Sequence, residues 1–104
     1  MILFFRTNQK TVIAVSTGKE LTNNELEALK WLFGEAEQIL TESIEGLFAG
    51  PRREMITPWS TTAVEITQNM NISGISRMEE FFPFNSEDEI VYDKMLQRVY
   101  HGIS

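Results

Sequence analysis

Two short apolar runs open the chain, and each is typical of a buried β-strand. The first run is Ile2–Phe5, and the second is Thr11–Val15, which is rich in β-branched residues. The residues between them, Thr7–Lys10, are polar and typical of a turn. The pattern therefore predicts an N-terminal hairpin whose second strand closes at Gly18.

The next segment carries the clearest helix signals of the chain. Thr22 and Glu25 have the spacing of a capping box, in which each side chain hydrogen-bonds the backbone of the other residue. Gly34 stands where a left-handed C-terminal cap is expected. The sequence therefore predicts a helix over Asn23–Phe33. Its apolar stripe consists of Leu26, Leu29, Leu32 and Phe33.

Shorter apolar segments follow this helix. Ala36–Leu40 is predicted to be a third strand, Glu45-Gly46 a turn and Leu47–Gly50 a fourth strand. Proline lacks a backbone N–H, so Pro51 is expected to end regular pairing or to confine it to an edge.

A second helix is predicted from Pro58 to about Met70. Proline suits the first helical position, and Thr57 just before it is a favourable N-cap. Four apolar residues recur at spacings of four, three and four, which places them on one face of a helix. These residues are Trp59, Ala63, Ile66 and Met70.

The C-terminal third predicts a further strand and a third helix. Ile75–Phe84 has the apolar content of a strand, and Pro83 indicates that its far end is an edge or an exit. Ser86–Glu89 has capping-box spacing and is predicted to start a helix that ends at Gly102. These elements predict an α+β fold, with an antiparallel or mixed sheet and two to three helices packed on one face.

Composition narrows the classes of function. The 104 residues are expected to form a single domain, residues 1–104. A formal net charge of −6 disfavours binding to nucleic acid or to an anionic membrane. The absence of cysteine excludes a cysteine nucleophile and thiolate metal ligands. No apolar run approaches the roughly 20 residues of a membrane span, so we expect a soluble, cytoplasmic domain.

Candidate chemistry is sparse and concentrates before the second helix. Arg52 and Arg53 precede a helix start whose free amides, with Ser60 nearby, predict a site for a phosphate or carboxylate. The alternative is that the arginines pair with local acids and that the hydroxyls only cap the helix. No metal cluster or positioned base is evident from the sequence. For Trp31 and Trp59, packing against apolar neighbours is favoured.

Residues 50–70 also resemble the N-terminal motif of the large, single-chain formylglycinamide ribonucleotide amidotransferases. That motif has a Pro-Arg turn, a Pro-Trp-Ser helix start, an alanine, an acidic residue with isoleucine, and a final asparagine. The matching residues here are Pro51, Arg52, Thr57, Pro58, Trp59, Ser60, Thr61, Ala63, Glu65, Ile66 and Asn69. The resemblance is strongest from Gly50 to Glu80.

The resemblance implies a place in de novo purine biosynthesis. Enzymes of this family are glutamine- and ATP-dependent ligases that convert formylglycinamide ribonucleotide to formylglycinamidine ribonucleotide. ATP, Mg²⁺ and the glutaminase triad belong to later domains, so the resemblance assigns this chain no cofactor and no catalytic residue. It implies a fold similar to the small bridging subunit of the split enzyme, and the synthetase and glutaminase domains of the parent chain as partners.

Three hypotheses follow. In the first, the chain is a non-catalytic docking domain that contacts the parent enzyme through Arg52, Trp59 and Ser60. In the second, it binds a phosphorylated small molecule through Arg52, Arg53 and the helix start at Thr57. In the third, which the missing catalytic groups disfavour, it is a stand-alone enzyme. A monomer and a homodimer are both compatible with the sequence.

Overall fold

The computed structural model describes residues 2–39, 44–51, 56–84 and 97–103. They form a six-stranded antiparallel sheet and two α-helices, which confirms the predicted α+β class. The elements in chain order are β1 (Ile2–Arg6), β2 (Val12–Thr17), α1 (Asn23–Leu32), β3 (Glu37–Ile39), β4 (Ile44–Pro51), α2 (Pro58–Asn69), β5 (Ile75–Phe84) and β6 (Gln97–Ile103). The strand order across the sheet is β3-β1-β2-β5-β4-β6.

The N-terminal half follows its local signals closely. β1 and β2 form the predicted hairpin, with Phe4 opposite Ala14. At the start of α1 both hydrogen bonds of the capping box between Thr22 and Glu25 are present. Gly34 follows the helix with a φ of 76°, the left-handed conformation that glycine adopts without steric cost.

The sheet separates two apolar clusters because neighbouring residues of a strand point to opposite faces. The helix face carries Phe5 and Met78, which pack in one cluster with Leu29 of α1 and Ala63 of α2. The opposite face, which we call the far face, carries a second cluster. Its buried members are Phe4, Val12, Ile44, Phe48, Phe81, Tyr100 and Ile103.

The turn predicted at Glu45-Gly46 is wrong, because both residues lie within β4. The pairing of β4 with β6 shifts register between Ile44 and Leu47, and Gly46 adopts a φ of 126° there. Such a shift is a β-bulge, which glycine accommodates because it has no Cβ. The predicted turn is therefore an irregularity inside a longer strand.

The helix predicted to run to Gly102 is wrong at its C-terminal end. Gln97–Ile103 is strand β6, and Tyr100 lies opposite Phe48 of β4. Within this strand Gly102 adopts a φ of 100°, a conformation that glycine reaches because it has no Cβ. The predicted start of this helix at Ser86–Glu89 lies outside the described residues.

The two prolines of the strands occupy the places where pairing ends. Pro51 is the last residue of β4 and lies opposite Gln97, beyond the described pairing of β4 with β5. Pro83 lies beyond the β2–β5 pairing, which stops where Phe81 lies opposite Val12. Each proline, which has no backbone N–H to donate, therefore lies where one of the two neighbouring strands has already ended.

Candidate functional site around the start of α2

The α2 start is built as its sequence predicts. Thr57 is the N-cap, and its Oγ1 accepts a hydrogen bond from the N–H of Ser60 at 3.0 Å. Pro58 occupies the first helical position, where its missing N–H leaves no partner unsatisfied. The cap thereby fixes the point at which the chain enters the helix.

The buried carboxylate of Glu79, on β5, lies against this cap. The Thr57 hydroxyl donates to Glu79 Oε2 at 3.1 Å, and the Thr57 N–H donates to Oε1 at 3.4 Å. Arg77 Nε donates to the same Oε1 at 3.2 Å. A helix start carries partial positive charge and attracts anions. In this structure the chain's own Glu79 is the anion that lies there.

This arrangement bears on the predicted site for a phosphate or carboxylate. Arg52 and Arg53 lie outside the described residues, so their share in that site stays a prediction. The part of the site that is described, the cap residue Thr57, is already hydrogen-bonded to Glu79. An external anion at Thr57 would have to displace a charge-assisted contact inside the protein.

Ser60 has a structural place that the docking hypothesis did not anticipate. Its side chain is fully buried, and its Oγ accepts a hydrogen bond from the backbone N–H of Met78 at 3.1 Å. The described pairing of β4 with β5 extends only to Phe82, so β4 does not reach Met78. Ser60 therefore satisfies a strand N–H in place of a neighbouring strand, and its predicted contact with a partner domain is corrected.

The buried side of α2 is also rotated relative to the predicted apolar stripe. Ser60, Ala63 and Thr67 are its buried residues, whereas Trp59 and Ile66 are 44% and 40% exposed. The hydroxyl of Thr67 donates to the backbone oxygen of Val64 at 2.7 Å, which allows a polar side chain to be buried. Two polar residues thus face the sheet while two large apolar residues face solvent.

The packing favoured for Trp31 is wrong, whereas the partial exposure of Trp59 is compatible with the docking hypothesis. Trp31 on α1 is 69% exposed, and Trp59 is nearly half exposed. Trp59 and Ile66 lie seven residues apart on the same side of α2, with Thr62 between them. We call these three residues the α2 outer face. Ile56, just before the helix, is also exposed.

The remaining motif residues divide between surface and interior. Thr61, Glu65 and Asn69 are exposed on α2. Pro51 is buried, and its carbonyl oxygen accepts a 2.6 Å hydrogen bond from the hydroxyl of Tyr100. This bond ties the end of β4 to β6 at the first residue of the motif.

Sequence reasoning missed Glu79 and Tyr100. Glu79 lies two residues after Arg77 in an alternating strand, so the two side chains share a face, but only the fold shows that Glu79 contacts Thr57. Tyr100 was assigned to a helix, so its bond to Pro51 was not foreseeable. The contacts of Glu79 with Thr57 and of Tyr100 with Pro51 have no local signal, because these partners are distant along the chain.

No group of three or more histidine or acidic residues in the described ranges is arranged to hold a metal ion. Within the same ranges, neither helix has the length and apolar character needed to cross a membrane.

The family comparison agrees with the motif. A family model described as formylglycinamide ribonucleotide amidotransferase N-terminal matches residues 10–104, which include the whole stretch from Pro51 to Asn69. Neither a curated protein nor a solved structure matches the chain significantly.

Proposed function

The chain belongs to the formylglycinamide ribonucleotide amidotransferase N-terminal family, and from this premise we propose that it is a non-catalytic docking domain. Its family places it in purine biosynthesis. Its proposed partners are the synthetase and glutaminase domains of the parent enzyme, which would carry the ATP and Mg²⁺ sites. The proposed contact surface is the α2 outer face.

The observation that carries this proposal is the composition of that face. Trp59 and Ile66 are large apolar side chains in solvent, and Glu65 is the only charged residue of α2. The centres of protein interfaces are depleted of charge and enriched in tryptophan, which is also a frequent hot-spot residue. A helix that exposes tryptophan and isoleucine with little charge fits a surface that a partner covers.

The anchoring of the first turn of α2 also supports the proposed contact surface. Thr57 and Ser60 tie the first turn of α2 to Glu79 and Met78 of β5. Trp59 lies between these two anchored residues, so its backbone is held before a partner arrives. A backbone that is already ordered loses less conformational entropy on binding, which favours affinity.

The proposal that the domain is non-catalytic rests on the absence of cysteine from its sequence. The sequence contains no cysteine, whereas the family's glutaminase chemistry depends on a cysteine nucleophile. That chemistry therefore has to be supplied by another domain. The role proposed here is to hold such domains in position.

The experiment measures binding of the 104-residue chain to the separately expressed synthetase–glutaminase portion of the parent enzyme, by isothermal titration calorimetry. Trp59→Ala is expected to weaken binding by about 30-fold, equivalent to about 2 kcal/mol for a hot-spot tryptophan. Trp31→Ala removes an even more exposed tryptophan from α1 and is the matched control, which is expected to bind like the wild type.

Two results would contradict the proposal. One is the absence of binding between the wild-type chain and the remainder of the enzyme. The other is an equal loss of affinity in the Trp59→Ala and Trp31→Ala variants, since the loss would then not be specific to the α2 outer face. Circular dichroism of both variants checks that each is folded before its affinity is interpreted.

A further inference from the structure

Glu79 is the one acidic side chain among the buried polar residues that the structure describes. It is 5% exposed and lies on β5, next to Met78 but on the opposite face of the strand. Burying a carboxylate is costly unless donors satisfy it, so the groups that bond to Glu79 indicate its role.

Among the described residues, three donors converge on this carboxylate, and two of them belong to Thr57. The Thr57 hydroxyl donates to Oε2 at 3.1 Å, and the Thr57 N–H donates to Oε1 at 3.4 Å. The third donor is Arg77 Nε, which reaches Oε1 at 3.2 Å. Both oxygens of Glu79 are thus bonded to the N-cap residue of α2, where the helix begins.

The Thr57 hydroxyl links this carboxylate to the first turn of α2. The oxygen that donates to Glu79 also accepts the Ser60 N–H at 3.0 Å. A carboxylate accepts but cannot donate, so it draws the hydroxyl hydrogen toward itself and leaves a lone pair of Thr57 for Ser60. Because linked hydrogen bonds polarise one another, the charge on Glu79 also strengthens the cap.

Trp59 lies between the two residues that this cap joins. Its side chain is 44% exposed, so contacts with the rest of the protein restrain it only in part. The direction of a helical side chain is coupled to its backbone. The direction of Trp59 therefore depends on how firmly the cap holds the first turn.

We propose that Glu79 is a positioning residue of the docking surface, which acts through Thr57 to set the direction in which Trp59 meets the partner. This inference rests on the proposed function, because it concerns the affinity of the α2 outer face. Glu79 is buried and does not itself contact the partner. A substitution at Glu79 therefore changes affinity while the composition of the α2 outer face stays the same.

The first test is binding of Glu79→Gln to the separately expressed synthetase–glutaminase portion of the parent enzyme, by isothermal titration calorimetry. Glutamine has the size of glutamate, but its NH₂ group turns a donor toward Thr57 or Arg77. Binding is expected to be about fivefold weaker than that of the wild type, as a preorganised surface is lost. The control Thr22→Ala removes the cap of α1 and is expected to keep the wild-type affinity.

A double-mutant cycle checks the route through Thr57. Thr57→Val keeps the branched shape of the side chain without the hydroxyl and is expected to weaken binding as much as Glu79→Gln does. Thr57→Ser keeps the hydroxyl and is expected to bind like the wild type. Combining Thr57→Val with Glu79→Gln is expected to add no further loss, because both remove the same contact.

Fluorescence separates positioning from a loss of stability. Trp31→Phe leaves Trp59 as the single tryptophan of the chain. In this background Glu79→Gln is expected to lower the fluorescence anisotropy of Trp59 and to raise its quenching by acrylamide, because the first turn is looser. Thr22→Ala is expected to change neither signal. If Glu79 only stabilised the fold, its substitution would lower the unfolding midpoint without moving these signals.

Several results overturn the proposal. Wild-type affinity of Glu79→Gln shows that Glu79 does not position the surface, and an equal loss in Thr22→Ala shows a general effect of destabilisation. Additive losses in the double variant show that Glu79 does not act through Thr57. If the wild-type chain does not bind, the docking function fails, while unchanged anisotropy and quenching refute the positioning of Trp59 separately. If Glu79→Gln does not fold, Thr57→Val decides in the same two assays.

Discussion

The buried hydroxyl of Ser60 accepts a hydrogen bond from the N–H of Met78 at 3.1 Å, on the side of β5 that β4 leaves unpaired. A helix side chain thus supplies the hydrogen-bond acceptor that a neighbouring strand supplies elsewhere in the sheet. The same contact holds the Ser60 side of α2 against β5, while Trp59 and Ile66 remain partly exposed to solvent.

Ser60→Ala is expected to lower the free energy of unfolding by about 1–3 kcal/mol, because the Met78 N–H then stays buried without an acceptor. Urea denaturation followed by circular dichroism measures the change. Thr62→Ala, on the exposed side of α2, is the control and is expected to change stability by less than about 0.5 kcal/mol. Equal effects of the two substitutions would show that the Ser60–Met78 bond contributes little.

Thr57→Ala is expected to destabilise the protein more than Thr22→Ala does. Both threonines cap a helix, and losing a cap costs about 0.5–2 kcal/mol. Thr57 additionally donates to the buried Glu79, which would lose a hydrogen bond in the variant. Unfolding midpoints of the two variants in urea provide the comparison. A smaller loss for Thr57→Ala would argue against a stabilising Thr57–Glu79 contact.

Gly50→Ala is expected to cost about 1–3 kcal/mol, because a Cβ at this position would overlap the ring of Phe81. Gly18→Ala provides a matched control, since a Cβ there meets no atom within 4 Å. Thermal unfolding of both variants measures the difference. If Gly50→Ala unfolds at the wild-type temperature, Phe81 must move aside without loss of packing.

The lowered pKa of Glu25 predicts that the stability of the protein depends on pH. A hydrogen bond from the Thr22 backbone N–H, assisted by Lys19, lowers the pKa of Glu25 below its ordinary value of 4.5. A carboxylate with a lowered folded-state pKa stabilises the fold above its unfolded pKa. That stabilisation is lost as the pH falls from 4.5 through the lowered value.

The Glu25→Gln variant is therefore expected to lose less stability than the wild type as the pH falls below 4.5. Urea denaturation at a series of pH values measures both slopes. Glu65→Gln, on the exposed side of α2, is the control and is expected to keep the wild-type slope. If stability changed with pH equally in all three proteins, the hydrogen bond from Thr22 to Glu25 would not contribute to the pH dependence of stability.

The sequence by itself determined the elements whose signals are local. The hairpin, the capping box at Thr22 and the Thr57-Pro58 start of α2 depend on residues a few positions apart. Because capping and strand alternation act over such short distances, these features were readable without the fold. The motif from Pro51 to Asn69 was also sufficient to indicate the family.

Tertiary structure decided what depends on residues far apart in the chain. Residues 97–103 are a strand because β4 supplies their hydrogen bonds, and the Glu45-Gly46 segment is a bulge because that pairing continues past it. Ser60 is buried where its hydroxyl accepts a hydrogen bond from the Met78 N–H. The packed side of α2 therefore differs from the apolar stripe that the sequence predicts. Backbone N–H groups must find partners when buried, and that requirement overrides the hydrophobic pattern of a single helix.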